Sequence, residues 1–460
     1  MTRIAAAVAV LAFAPAAQAA DWSGTYRLPV SAEPVRIAVA LSGHTATVAL
    51  GPGHSGRAVV TATVSSGRVQ FSLPGLPKNV VFDGRLAGAH VTGNVSQGAL
   101  RGTFRLSRAR DTHLPAYGLY RSSAGDALAI VEPGSGFPTW LVELPSGDIH
   151  GLNASLTTVG ARAGDRSGGG TLAVAPTAMS WMHDGVTTRY ARVSVRQREV
   201  RVGAIAATLT LPPGPGPFPA VAMVHGSGRQ AREEFQAFAA YCTLLGVAVI
   251  ADDKRGIGQS SGRYPGERAT PSTIDVLARD AQAEVRFLGA LGQIDRTRVG
   301  LLGDSQAGWV IALAAAREHA VRWGVPLVGP TVTVDESDRW AELAGQGATP
   351  PTGTEAERTA KVRAAGRGGF DPEPSLRKLT IPVHWIFADD DRNIPTQLSI
   401  ERLQQLQTGH AFSWSVVHAT HTLLELPSGL NADIARSRGF ATTLYPEVGR
   451  FLRAHAIVQG

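Results

Sequence analysis

Hydrophobic and polar residues follow two different periods along this chain. From Asp21 to about Arg110 they alternate in short runs cut by glycine, as in VRIAVALSG, TATVALG, RVQFSLPG, NVVFDGRLAG and LRGTFRLSR. A period of two marks half-buried strands, and turn signals this closely spaced predict antiparallel hairpins folded into a sandwich or a partial barrel. A weaker β pattern continues over 112–190 and holds the glycine-rich stretch GARAGDRSGGG. It is either a domain of its own or a continuation of the first. Neither a helix nor Gly-Lys-Ser/Thr follows those glycines, which excludes a phosphate-cradling loop. Residues 20–111 hold no cluster of His, Asp, Glu or Ser that suggests chemistry, and read as a structural or binding module.

From about Ala191 the apolar spacing lengthens. Apolar runs at 204–211, 220–225, 247–251, 299–302, 325–328, 383–387 and 412–417 predict buried strands. Helical spacing marks 233–245, 274–291, 306–319, 397–407 and 440–455. Strands alternating with helices predict an α/β fold, a mostly parallel sheet flanked by helices, within 191–460. Between Gly329 and Leu379 the pieces DESDRWAEL and GTEAERTAKVRAAGRGG flank a Pro/Gly loop and interrupt the alternation. This insertion, about 330–378, is expected to form a helical cap, with Trp309, Trp340 and Phe370 as candidate walls of a substrate pocket.

Composition narrows the class. At 460 residues, 44% hydrophobic and 18% charged, the chain is globular and long enough for two or three domains. Its first residues, MTRIAAAVAVLAFAPAAQAA, place one arginine before an apolar core and a small-x-small site. That is the pattern of a secretory signal peptide over 1–19, and export to the periplasm or beyond is expected. No later stretch reaches the roughly 18 apolar residues of a membrane span. Cys242 is the single cysteine, so no intramolecular disulfide forms. The formal charge is +7, with basic residues dispersed and no nucleic-acid motif. A mild cationic excess of this kind suits association with an anionic cell envelope.

The candidate chemistry lies at strand ends in the α/β part, where ligands bind in open sheets of this class. In VGLLGDSQAGWVIALAAA an apolar run passes into a helix within five residues, Gly303 to Ala307, and Ser305 stands at the tip. A serine there is either a helix N-cap or a nucleophile lifted above the sheet on a tight strand-to-helix turn. A hydroxyl needs a base, and the base an orienting group. HWIFADDDRNIP offers Asp389, Asp390 and Asp391, which cannot all be buried and ionised together. WSVVHATHTLLEL offers His418 at a strand end and His421 in the loop beyond, the latter better placed to swing over a serine. In AVAMVHGSGR the Ser227 N–H is a candidate oxyanion donor, paired with the N–H of Gln306 just after the serine. His225 precedes that loop and reads as its buttress. In ADDKRGIGQSSG, Asp253 or Arg255 could reach the site, although a salt-bridged loop is the simpler reading.

Over about 200–455 the chain resembles α/β-hydrolases, close to secreted bacterial serine esterases of the dienelactone-hydrolase-like branch. FPAVAMVHGSG, DDKRGIGQSSG, GLLGDSQAGW, FADDDRNIP and ATHTLLEL carry the resemblance, in that order. It implies Ser305 as nucleophile, Asp391 as the acid, because two residues then Ile-Pro follow it, and His421 as base. The chain order Ser-Asp-His is that of the superfamily. Two positions depart from the pattern: Ala307 where glycine is commoner, and Thr420 where asparagine is usual. The β-rich half more loosely resembles the domain preceding the hydrolase in some such esterases. The resemblance implies cleavage of a small-molecule carboxylic ester through an acyl-enzyme, with no metal or organic cofactor. A peptidase or an acyltransferase would use the same triad. An envelope-binding protein with a vestigial hydrolase is the reading from another class, and the oligomeric state is open.

Overall fold

The computed structural model describes residues 22–29, 35–42, 45–50, 56–73, 78–88, 90–108, 118–131, 140–152, 158–159, 170–175, 177–437 and 439–458. The signal-like segment 1–19 and most of the glycine-rich stretch 160–170 lie outside the described residues.

The alternating N-terminal runs form eight strands. They are β1 (Trp22–Arg27), β2 (Val35–Ser42), β3 (Thr45–Leu50), β4 (Gly56–Ser65), β5 (Arg68–Leu73), β6 (Val80–Ala87), β7 (His90–Gln97) and β8 (Leu100–Arg108). Each pairs antiparallel with the next, and β1 also pairs with β8, which closes the barrel. The expected sandwich or partial barrel is thus a closed one, which leaves no sheet edge exposed. Alternate residues fill it: Phe82 stacks on Phe71 at 4.6 Å and meets Tyr26 and Phe104 edge-on at 5.1 and 5.3 Å. Gly84 faces Gly93 across β6 and β7. A Cβ on Gly84 would lie 2.5 Å from the Phe104 ring, so the bare backbone makes room for that aromatic core.

The second β region forms a separate sheet of eight strands. They are β9 (Gly118–Ser122), β10 (Ala127–Val131), β11 (Trp140–Leu144), β12 (Ile149–Gly151), β13 (Thr158–Val159), β14 (Gly170–Val174), β15 (Ala178–His183) and β16 (Val186–Arg192). It belongs to one compact unit with the α/β part, whereas the barrel is a unit of its own. Trp140 meets Phe440 at 6.1 Å, and the Phe440 N–H donates to the Gly147 carbonyl.

The third sheet holds β17 (Arg196–Val202), β18 (Ile205–Leu211), β19 (Phe218–Val224), β20 (Ala248–Asp252), β21 (Ile294–Asp304), β22 (Trp323–Leu327), β23 (Val383–Asp390) and β24 (Phe412–Thr420). The order is β17-β18-β20-β19-β21-β22-β23-β24, antiparallel over β17, β18 and β20 and parallel from there on. Seven strands match the apolar runs of the sequence. β17 was missed because RQREVRV is charged and mostly exposed, as suits an edge strand. Among the helices, α1 (Gln236–Leu244), α2 (Pro271–Gly289), α3 (Ala307–Arg317), α7 (Thr396–Leu406) and α8 (Leu444–Ala454) occupy the expected stretches. The last of them starts late: residues 440–443 precede α8, and Phe440 is bridged to Leu424 in extended backbone. The apolar sides of α2 and α3 bury Ile274, Val285, Val310 and Ala314 against Ala220, Ala222 and Ile250 of the sheet. This is the expected α/β fold, a mostly parallel sheet flanked by helices, preceded in the chain by an all-β N-terminal region.

Between β22 and β23 the insertion folds as α4 (Val334–Ala344), α5 (Glu355–Ala365) and the single turn α6 (Glu373–Leu376). Capping boxes at Thr333/Glu336 and Thr354/Glu357 start the first two. Val332, Trp340, Ala344, Val362 and Leu398 form a small core beneath them.

Candidate active site

β21 ends at Asp304 and α3 begins at Ala307, so Ser305 and Gln306 are the whole turn. Ser305 has φ of 55°, a left-handed conformation that costs a non-glycine residue energy. The Ser305 N–H donates to the Leu327 carbonyl at 2.8 Å, anchoring the strained residue to the neighbouring strand. The turn is this tight because Gly303 has no side chain: a Cβ there would lie 2.0 Å from the Val224 carbonyl oxygen and 2.7 Å from the Ala307 Cβ. Ala307 therefore fits where glycine is commoner, provided position 303 stays bare. Gly303→Ala is expected to lower stability by about 2 kcal/mol or more, read as a drop in Tm of several degrees. An unchanged Tm would show that the turn relaxes freely.

The fold brings His421 and Asp391 to this serine. His421 Nε2 lies 2.9 Å from Ser305 Oγ, and its Nδ1 lies 2.9 and 3.0 Å from the two Asp391 oxygens. Asp391 is buried, and its Oδ1 accepts the N–H groups of Asn393 and Ile394, each at 2.8 Å. Those two bonds fix the carboxylate independently of the imidazole. The Trp340 indole donates to the Asp391 carbonyl at 3.0 Å and ties α4 to the same loop. Burial alone would lower the His421 pKa, but the charge and hydrogen bond of Asp391, with Asp304 adding, raise it above the usual 6.5. Thr420, a departure from the resembled pattern, bonds the His421 turn: its N–H and hydroxyl both donate to the Leu424 carbonyl.

The competing side chains are accounted for elsewhere. His418 Nδ1 pairs with Asp389 at 2.7 Å, with the imidazole 84% exposed, and Asp390 pairs with Arg392. His225 is buried with Nε2 2.7 Å from the Asp252 carbonyl, packed on Phe235 and bonded to neither Ser305 nor Asp391. Asp253 is held by Arg232 and the Gln259 N–H, and Arg255 pairs with Asp280, so both serve the loop itself. Trp309 and Trp340 are buried with both indoles bonded, and Phe370 packs on the sheet core.

Ser227 lies at the exposed loop after β19, and Gln306 is buried at the head of α3. Among the described residues neither backbone N–H is matched to an acceptor. The loops are joined by residues that sequence reasoning passed over. Asp304 Oδ1 accepts the Gly226 N–H at 3.1 Å, and burial raises the Asp304 pKa against the pull of His225 and His421. Lys254, 1% exposed, donates to the carbonyls of Gly226 and Gly228 and to Gln306 Oε1. Their signal was position alone: Asp304 precedes the serine, and Lys254 follows a strand end. Among the described residues no three His, Cys, Asp or Glu side chains form a metal-binding group, and no helix is long and apolar enough to cross a membrane.

Residues 216–351 match a family model described as serine aminopeptidase, S33, a span well short of half the chain that includes Ser305 but neither Asp391 nor His421. No curated protein sequence matches the chain. Among solved structures it is similar to an esterase from Pyrococcus furiosus, at 17% identity over 57% of this chain and 90% of that one, with a TM-score of 0.40. A dienelactone hydrolase from Anabaena variabilis aligns at 17% identity over 57% and 98% of the two chains, with a TM-score of 0.38. Est1E from Butyrivibrio proteoclasticus, in a structure with ferulic acid bound, aligns at 18% identity over 56% and 98%, with a TM-score of 0.37.

Proposed function

We propose that this chain is an exported serine hydrolase that cleaves carboxylic esters of small acyl groups through an acyl-enzyme. The observation that carries the reading is the unbroken chain of hydrogen bonds from Ser305 Oγ through His421 to buried Asp391, with the serine on a left-handed turn. Ser305 Oγ attacks the ester carbonyl while neutral His421 Nε2 takes its proton. Asp391 orients the ring and stabilises the imidazolium. The N–H groups of Ser227 and Gln306 hold the tetrahedral oxyanion. His421 then protonates the departing alcohol, and water, activated by the same imidazole, releases the acid. The leader-like first nineteen residues support export.

The hydrolysis of p-nitrophenyl esters from acetate to palmitate, with Ser305→Ala as blank, tests the reading. Ser305-dependent turnover with an optimum at short chains is expected; no turnover of any ester would sink it. The same assay reads the base. Because His421 must be neutral to act and its pKa is raised, kcat/KM should fall as pH drops through a value above 6.5. A flat profile between about pH 5 and 8 would contradict His421 as base. The match of 216–351 to a serine aminopeptidase model favours a second reading, a peptidase on the same triad. Faster turnover of aminoacyl anilides than of esters would select it.

A further inference from the structure

Lys254 is a buried ammonium with all three of its hydrogen bonds directed at one place. Its Nζ donates to the Gly226 carbonyl at 2.6 Å, the Gly228 carbonyl at 3.1 Å and Gln306 Oε1 at 3.2 Å. The first two acceptors flank Ser227; the third belongs to Gln306. One side chain therefore bonds both residues on either side of one candidate oxyanion donor and the residue that supplies the other. These donors come from separate elements, the loop after β19 and the head of α3; the Gly226 N–H bond to Asp304 Oδ1 joins the loops at their base, and Lys254 is the side chain that bonds both donor-bearing ends. Displacing an oxyanion donor by about 1 Å forfeits much of its value, because it must meet the developing charge without reorganising.

We propose that Lys254 is a positioning residue that sets the separation of the Ser227 and Gln306 N–H groups, an inference that rests on the serine-hydrolase reading above. An ammonium is a compact point charge with three donors, which suits three converging acceptors; the planar fork of arginine does not. Burying it is unfavourable unless every proton is bonded, as here. The charged and titratable groups around it are the carboxylates of Asp304, Asp252 and Glu267, the His225 imidazole, and the Tyr264 ring at 5.9 Å, which also carries Arg229 at 4.9 Å. Burial lowers the Lys254 pKa to about 8 against the pull of the three carboxylates. The tie is thus strongest below that pH and weakens as the ammonium loses its proton above it.

The test measures kcat and KM for p-nitrophenyl acetate from about pH 6 to 10 in wild type, Lys254→Met and Lys254→Arg, subtracting the Ser305→Ala blank. In Lys254→Met, kcat is expected to fall by about 10²-fold with KM changed by less than about threefold. The wild-type kcat should decline through about pH 8, and that decline should vanish in Lys254→Met. Arginine should recover only part of the loss. A kcat for Lys254→Met within about twofold of wild type, or the same alkaline decline in both proteins, would overturn the proposal. Should Lys254→Met fail to fold, Gln306→Ala decides: it removes one acceptor and keeps the backbone donor. A several-fold fall in kcat at constant KM supports the tie, and an unchanged kcat overturns it. Ester turnover that survives Ser305→Ala would instead overturn the serine reading, a separate and recognisable failure.

Discussion

Ser305→Ala is expected to lower ester turnover by about 10⁴- to 10⁶-fold while leaving Tm within a degree or two of wild type. The size of the effect follows from what the hydroxyl does. Without Oγ there is no nucleophile for His421 to activate, and the remaining oxyanion donors and binding contacts can only assist water. The small effect on stability follows from the turn. Ser305 is held by its own N–H to the Leu327 carbonyl and by the bare Gly303 beside it, not by its side chain. Alanine tolerates the left-handed φ of 55° about as poorly as serine does, so the strain is unchanged. Loss of activity with loss of fold would make the serine structural, as an N-cap would be; retained activity would remove it from the chemistry.

The second large effect separates two carboxylates that sit two residues apart. Asp391→Asn is expected to reduce kcat by about 10⁴-fold, and Asp389→Asn to leave it within about twofold. Asparagine at 391 can keep one oxygen toward the Asn393 and Ile394 N–H groups, which turns its amide N–H₂ toward His421 Nδ1. Nδ1 must then accept, the proton moves to Nε2, and the ring donates to Ser305 Oγ instead of taking its proton. The geometry survives while the tautomer is wrong. Asp389 engages His418 and the Ala419 N–H at the surface, where an exposed pair is screened by solvent. Measured kcat for both variants beside wild type decides the matter, and equal losses would contradict the assignment.

Much of this site was legible because its residues mark changes of local structure. The switch from an apolar run to helical spacing around Gly303–Ala307 could come only from a tight strand-to-helix turn. Asp391 was set apart from Asp389 and Asp390 by the resemblance, through the two residues and Ile-Pro that follow it, and not by residue type: three aspartates in a row look alike until the backbone turns. The structure distinguishes them by where the N–H groups of Asn393 and Ile394 point. Lys254 was passed over because a lysine between Asp253 and Arg255 reads as solvated, and its burial depends on the loop after β19 folding over it. Barrel closure was hidden for a similar reason. Period-two alternation specifies strands and faces, but the pairing of β1 with β8 joins segments from opposite ends of the region. β17 escaped because edge strands carry charge where core strands carry valine and isoleucine.

The most direct test of the central claim is covalent. A fluorophosphonate that reacts with activated serines should add once per chain, and peptide mass spectrometry should place it on Ser305, with no adduct in Ser305→Ala and a much slower one in Asp391→Asn. An adduct on another residue, or none at all on folded protein, would contradict the account.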